Sequence, residues 1–268
     1  MKNLSLALCL IVASTMTKAQ IHLLDSLPIS RMHSYPVPTD SATISHLGWD
    51  TIEWSVFYKR GIIYAMNTFG PDIRALLPMD TVPQLIADKF FSNERYRLSK
   101  SSPIIEVEDG YLFSPNSNMV GNLYWYSKDG LNHYMISGAY VNRFISKDGK
   151  IFGIQQILGK NRMINRVIEI RKEDNKWVDN EYVELPDYPT AIAINSRNNF
   201  VIVTYTSLIE VDNNLKVTFL IENPFWGAYG TLYPNSLIIH DDVAFVGMRD
   251  GVFKFDLNSK KQEWLMKN

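Results

Sequence analysis

Leu237-Ile238-Ile239-His240-Asp241-Asp242-Val243-Ala244-Phe245-Val246 is two runs of strand-forming residues on either side of a polar pair that favours a tight turn. The same arrangement recurs four times upstream, about Lys59-Arg60-Gly61, Glu108-Asp109-Gly110, Lys147-Asp148-Gly149 and Arg197-Asn198-Asn199. With residues 60, 109, 148, 198 and 241 as markers the spacings are 49, 39, 50 and 43, an average near 45. A third strand-like run follows in four of the units, at 122–126, 166–170, 208–211 and 251–255, and its last residues lie 44, 41 and 44 apart. Repeats of about 40–50 residues with four short strands each are the sequence mark of a radially repeated sheet. Two independent sets of markers therefore predict an all-β chain folded as a five-bladed β-propeller, with a β-sandwich as the alternative architecture. One short helix is expected around residues 83–91, where apolar side chains share a face.

The last unit carries a more specific pattern. Val243-Ala244-Phe245-Val246-Gly247 is followed by Asp250-Gly251-Val252-Phe253-Lys254-Phe255-Asp256-Leu257, then by Lys261 and Trp264. It resembles the repeat of quinoprotein-type (PQQ-like) propellers, in which a strand, a glycine turn, a second strand ending in Asp and a later Trp follow one another. The resemblance covers about twenty residues, and a lysine stands where that repeat has glycine in its last turn. It implies the architecture and no quinone cofactor.

Outside the repeats, Lys2, the apolar run from Leu4 to Ala13 and Thr17-Lys18-Ala19 read as a signal peptide over 1–19. An apolar core of about ten residues is half of what a membrane-spanning helix needs, so export to the periplasm or exterior is expected, without membrane insertion. Residues 20–45 contain Pro28, Pro36 and Pro38, match no unit, and read as an N-terminal arm that seals the first and last blades; 46–268 form the single propeller domain. Cys9 is the only cysteine and lies within the signal segment, so the processed chain has no disulfide, thiolate nucleophile or cysteine metal site. A net charge of −1 with 21% charged residues excludes the basic footprint of a nucleic-acid binder.

Chemical motifs are sparse. There is no Gly-x-Ser-x-Gly elbow, and the stretch from Gly153 to Gly159-Lys160-Asn161 has the wrong spacing for a phosphate loop and lacks its Ser or Thr. His22, His33, His46, His133 and His240 show no zinc spacing. Ser127-Lys128-Asp129-Gly130 and Ser146-Lys147-Asp148-Gly149 depart from the Asp box of sialidase-type propellers and read as side chains bonding to turn amides. Lys160, Arg162, Arg166, Arg171 and Lys172 are interleaved with Glu169, Glu173 and Asp174, the pattern of a solvated face. Neither a cofactor nor a metal is expected, and the chain reads as a monomer.

In a propeller the segments leading into the innermost strands converge at one end of the channel, where loops can build a pocket on a rigid scaffold. Those segments carry Trp49, Asp50, Tyr140, Asn142, Arg143, Asp187, Tyr188, Trp226 and Tyr229. Aromatic faces among a few polar groups suit a glycan or a protein, so the expected function is an exported, non-catalytic binding or scaffold protein. The alternative is a propeller glycoside hydrolase with Asp50, Glu106 and Asp187 as acid and base, which requires two carboxylates about 5–10 Å apart. The plainer role for the same aromatics is to plug the channel or wedge between blades.

Overall fold

The computed structural model describes residues 26–38, 53–67, 103–115, 121–158, 163–223, 226 and 232–267. The signal segment, the expected helix at 83–91, and His22, His46, Lys160 and Arg162 lie outside the described residues. Among the described residues twenty strands follow in order: β1 (Ser26–Pro28), β2 (His33–Tyr35), β3 (Trp54–Lys59), β4 (Ile62–Asn67), β5 (Ile104–Val107), β6 (Gly110–Phe113), β7 (Leu123–Ser127) and β8 (His133–Ser137) come first. Then come β9 (Tyr140–Lys147), β10 (Lys150–Leu158), β11 (Met163–Glu173), β12 (Lys176–Leu185), β13 (Pro189–Ile194), β14 (Phe200–Thr204), β15 (Ser207–Val211) and β16 (Val217–Glu222). The last are β17 (Ser236–His240), β18 (Val243–Met248), β19 (Gly251–Asp256) and β20 (Gln262–Met266). A 3₁₀ turn, Ile29–Arg31, separates β1 from β2; no helix among the described residues is long and apolar enough to cross a membrane.

All pairings are antiparallel, and the strands form successive meanders β5-β6-β7-β8, β9-β10-β11-β12, β13-β14-β15-β16 and β17-β18-β19-β20. The tight turns between first and second strands are where sequence and geometry meet. Arg60-Gly61, Asp148-Gly149 and Asp241-Asp242 hold positive φ at both central positions, with values of 50° and 82°, 52° and 74°, and 49° and 56°. Those dihedrals match the twist of the flanking strands, and Gly and Asp reach them at low cost.

The sheet of β13–β16 is covered on both faces by its neighbours. In the meander β13-β14-β15-β16, Val201, Val203 and Leu208 point into a core shared with β18 and β19, through Ala244, Val246, Phe253 and Phe255. The alternating residues Phe200, Ile202, Ile209 and Val211 point the other way, onto Phe152, Ile154 and Val167. Both strands are buried along their whole length, which is why they read as unbroken apolar runs. Phe200 meets Phe152 edge-on at 5.0 Å and Tyr182 at 6.1 Å.

The first strands of the meanders stand side by side: β13 lies against β9 and β17, and β17 lies against β3. β9, β13, β17 and β3 thus follow one another from sheet to sheet, a propeller-like packing. The arm joins the first and last sheets. β1 pairs with β4, Ser26 opposite Met66, while β2 adds a fifth strand to the last meander, His33 opposite Met266 and Tyr35 opposite Trp264. Ile29 and Met32, between the two strands, are buried among Trp54, Val56, Phe245 and Val252.

The polar motifs settle into local roles. Asp129 accepts from Ser127 Oγ and Leu131 N, closing its own turn. Arg166 reaches Asp179 and Glu181, and Arg171 reaches Glu173. His133 stacks on Tyr126 at 4.9 Å, and His240 lies 5.4 Å from Tyr58. No three His, Cys, Asp or Glu among the described residues are grouped to hold a metal.

Candidate functional site

One end of the inner strands is defined by bonds that pass from sheet to sheet. Val141 N donates to Ser114 Oγ at 2.9 Å, joining the β9–β12 meander to β5–β8, and Asn142 Nδ2 donates to the Pro189 carbonyl at 2.7 Å, joining β9–β12 to β13–β16. Between the last sheet and the first, Val56 N donates to Ser236 Oγ at 2.9 Å and Asn235 Nδ2 to the Trp54 carbonyl at 3.1 Å. The backbone donor at Val141 is available because β9 bulges there: Val141 faces Gln155 and Arg143 faces Ile154, leaving Asn142 as the extra residue. A second bulge opens β13 at Thr190, between the pairs Pro189–Thr204 and Ala191–Val203.

Three tyrosines from three connections meet at this end. Tyr188 precedes β13, Tyr205 sits between β14 and β15, and Tyr233 precedes β17. Their ring centroids are 4.5 Å apart for Tyr188 and Tyr205 and 5.9 Å for Tyr205 and Tyr233, tilted by 40° and 44°. Tyr188 and Tyr205 are half-buried, while Tyr233 is 40% exposed. The Tyr188 hydroxyl donates to Asn142 Oδ1 at 3.3 Å, and Arg143 Nη1 donates to the Asn142 carbonyl at 3.1 Å, so buried Asn142 positions both neighbours. Beyond Tyr233, the Arg249 guanidinium stands 6.0 Å over its ring and 3.8 Å from Glu53.

Burial pushes the Tyr188 hydroxyl above its usual pKa, although the Asn142 bond and the Arg143 charge pull the other way. Tyr205 is raised further, first by burial, then by its bond to Tyr233 and by the nearby Tyr188 and Asp187. Both stay neutral at physiological pH and can donate as well as accept.

The expected site residues divide. Asn142, Arg143 and Tyr188 come together as described. Tyr140 is half-buried at the start of β9, where it closes on the backbone of Gly121: a Cβ there would come within 2.5 Å of Tyr140 Cβ. Asp187 ties its connection to the next one of the same sheet, accepting from Tyr188 N at 2.7 Å and, across to the β14–β15 connection, from Thr206 N at 2.9 Å and Thr206 Oγ1 at 2.8 Å. Trp226 is fully buried, edge-on to Phe253 at 4.9 Å, so its ring serves the core as a wedge. Trp49, Asp50 and Tyr229 lie outside the described residues.

Glu106, the third carboxylate of the hydrolase alternative, is 64% exposed beside Lys128 and next to the first hairpin turn of its sheet. Ser114 ties the opposite end of that hairpin to Val141, so Glu106 lies towards the hairpin turn of β5, whereas Asp187 leads into the start of β13. Tyr205, Tyr233, Arg249 and Glu53 were not anticipated. The useful signal was topological: connections from second to third strands emerge at the same end as those leading into first strands, and they carry Tyr205-Thr206 and Arg249-Asp250.

No family model matches the sequence, and no curated protein matches it. Similar solved structures include a gluconolactonase from Xanthomonas campestris, 13% identical over 64% of this chain and 59% of that one, TM-score 0.42. Virginiamycin B lyase from Staphylococcus aureus is 14% identical over 88% of this chain and 73% of that one, TM-score 0.41. The extracellular domain of a putative hybrid two component system from B. thetaiotaomicron is 13% identical over 90% of this chain and 31% of that one, TM-score 0.43. The chain spans less than two thirds of the gluconolactonase and less than a third of the extracellular domain. These neighbours are propeller-like proteins, and no sequence family accompanies them.

Proposed function

We propose that this chain is an exported, non-catalytic binding protein built on a five-bladed β-propeller, and that it holds a carbohydrate at the tyrosine-bearing end of its inner strands. The observation that carries the reading is the run Tyr188, Tyr205 and Tyr233, supplied by three separate connections and flanked by Asn142 and Arg143. Tyrosines that pack on one another are held in place before a ligand arrives, so little side-chain entropy is lost on binding. Their neutral hydroxyls match the mixed donors and acceptors of a sugar, and the exposed ring of Tyr233 offers an apolar face to its C–H groups.

The test is a glycan array probed with the wild-type chain and with Tyr205→Ala and Tyr233→Ala. Binding that weakens about tenfold or more in both variants, with melting temperature checked in parallel, supports the reading. Equal retention by all three forms contradicts it.

A further inference from the structure

Resting on that reading, we infer that the carbohydrate is uncharged, and that Tyr233, presented by a strained backbone, selects it by stacking on the C–H face of one pyranose ring. Tyr233 holds φ at 49°, the left-handed region that glycine and asparagine enter at least cost, and among the described residues it is the one aromatic to do so. The cause lies on either side of it. Leu232 is fully buried in the core with Trp226, and its carbonyl accepts from Arg249 N; Pro234 is buried too, and Asn235 N donates to the Gly247 carbonyl at 3.0 Å. Two anchored neighbours thus turn the residue between them outward, 40% exposed. A bulky side chain in this conformation costs the fold stability, and outliers of this kind gather where ligands are held.

The surroundings of the ring give the class of ligand. Tyr205 lies 5.9 Å from it and shares a hydrogen bond with it, and the Arg249 guanidinium stands over one face at 6.0 Å, so the opposite face is left to a ligand. The charged side chains described at this end are engaged within the fold: Arg249 with Glu53, Arg143 with the Asn142 carbonyl, and Asp187 with three donors. A charged sugar would shed water against groups whose charges these partners already balance. A neutral one loses little on leaving water and meets neutral hydroxyls and an apolar ring fixed in advance.

The experiment uses cellotetraose, laminaritetraose and mannotetraose, each in neutral form and oxidised at C6 to the uronate, immobilised side by side and titrated. The expected result is a neutral form over its uronate by about tenfold or more. Tyr233→Phe should bind that form within about threefold of wild type, whereas Tyr233→Leu, Tyr233→Ala and Tyr233→Gly should weaken it about tenfold or more. Tyr233→Gly should melt above Tyr233→Ala, the single methyl between them isolating the backbone strain. A uronate bound as well as its neutral form, Tyr233→Leu binding like Tyr233→Phe, or Tyr233→Gly melting below Tyr233→Ala overturns the inference; where Tyr205→Ala and Tyr233→Ala still weaken binding, the underlying reading stands. Binding of none of the six probes overturns the inference as well, and the reading falls too if no member of the glycan array depends on Tyr205 and Tyr233.

Discussion

The two ends of the inner strands are built on opposite principles. At the hairpin end, polar side chains of one turn are consumed by the next: Asn198 Nδ2 donates to both carboxylate oxygens of Asp148, at 3.1 and 2.9 Å, and Ser196 donates through N and Oγ to Asp242. Asp109 extends this pattern, accepting from Trp125 Nε1 at 3.2 Å and Trp177 Nε1 at 3.0 Å and pairing with Lys172 at 2.9 Å. At the tyrosine end a few bonds fix the strand starts, and aromatic and guanidinium groups remain partly exposed. Redundant short-range bonding closes one end as a staple; at the other, a smaller number of anchors leaves chemistry facing outward. Connection length does not account for the difference, since Tyr205-Thr206 and Arg249-Asp250 at the tyrosine end are two-residue connections like Arg60-Gly61 and Asp148-Gly149 at the other.

The largest effect should come from the scaffold common to both ends. Phe200→Ala removes a fully buried ring between the third and fourth sheets and should cost about 3–5 kcal/mol. Denaturant unfolding followed by tryptophan fluorescence would check it, and ligand binding should survive in whatever fraction stays folded.

Breaking the staple should separate stability from binding. Asp109→Ala leaves two indole donors and Lys172 without their shared acceptor; because the carboxylate is 36% exposed, the loss should be at the lower part of the range for charged hydrogen bonds, about 1–2 kcal/mol. Array binding should not change. A loss of binding in this variant at constant folded fraction would show that the ends are coupled.

Acid should act on the staple in the same direction. Burial opposes ionisation of Asp109, but bonds from Lys172, Trp177 and Trp125 outweigh it and hold the carboxyl below its usual 3.8; Asp242 is held below 3.8 by the side chain and backbone of Ser196. Depressed native values mean that the stabilisation is complete above the unfolded pKa and disappears as pH falls through it towards the native one. Melting temperature should therefore be flat from pH 7 to about pH 5 and decline below about pH 4, less steeply in Asp109→Asn. Binding at the tyrosine end should be insensitive to Tyr188 and Tyr205 ionisation between pH 6 and 9, since both hydroxyls are raised.

The smallest effect concerns the final turn. Lys260 holds φ at 63°, the left-handed region that glycine occupies at least cost. Lys260→Gly should stabilise by a few tenths of a kcal/mol up to about 1, read by melting temperature. A decrease would mean that the Lys260 Nζ bond to the Leu257 carbonyl outweighs the backbone strain.

What the sequence made legible is what local chemistry dictates. Two-residue turns need residues that tolerate positive φ, so Arg60-Gly61, Asp148-Gly149 and Asp241-Asp242 announced their hairpins, and strands buried on both faces, such as β14 and β15, could only be apolar throughout. The outer strands were less visible because their exposure follows no period: β16 alternates irregularly between half-buried and exposed, with Phe219 outward. The site was half legible. Asn142, Arg143 and Tyr188 follow from strand order, but nothing local distinguishes Trp226, sunk into the core, from an aromatic at the surface. Tyr205 required knowing that two different kinds of connection share one end.

All of this depends on the arm joining the last sheet to the first, and register makes that directly testable. With Cys9 replaced by serine, cysteines at His33 and Met266 should be Cα partners about 4.5–5.5 Å apart, within disulfide reach. Peptide mapping after mild oxidation should find residues 33 and 266 linked within one chain, together with a higher melting temperature. Two free thiols after oxidation of the folded protein would contradict the closure and, with it, the shared end on which the tyrosines meet.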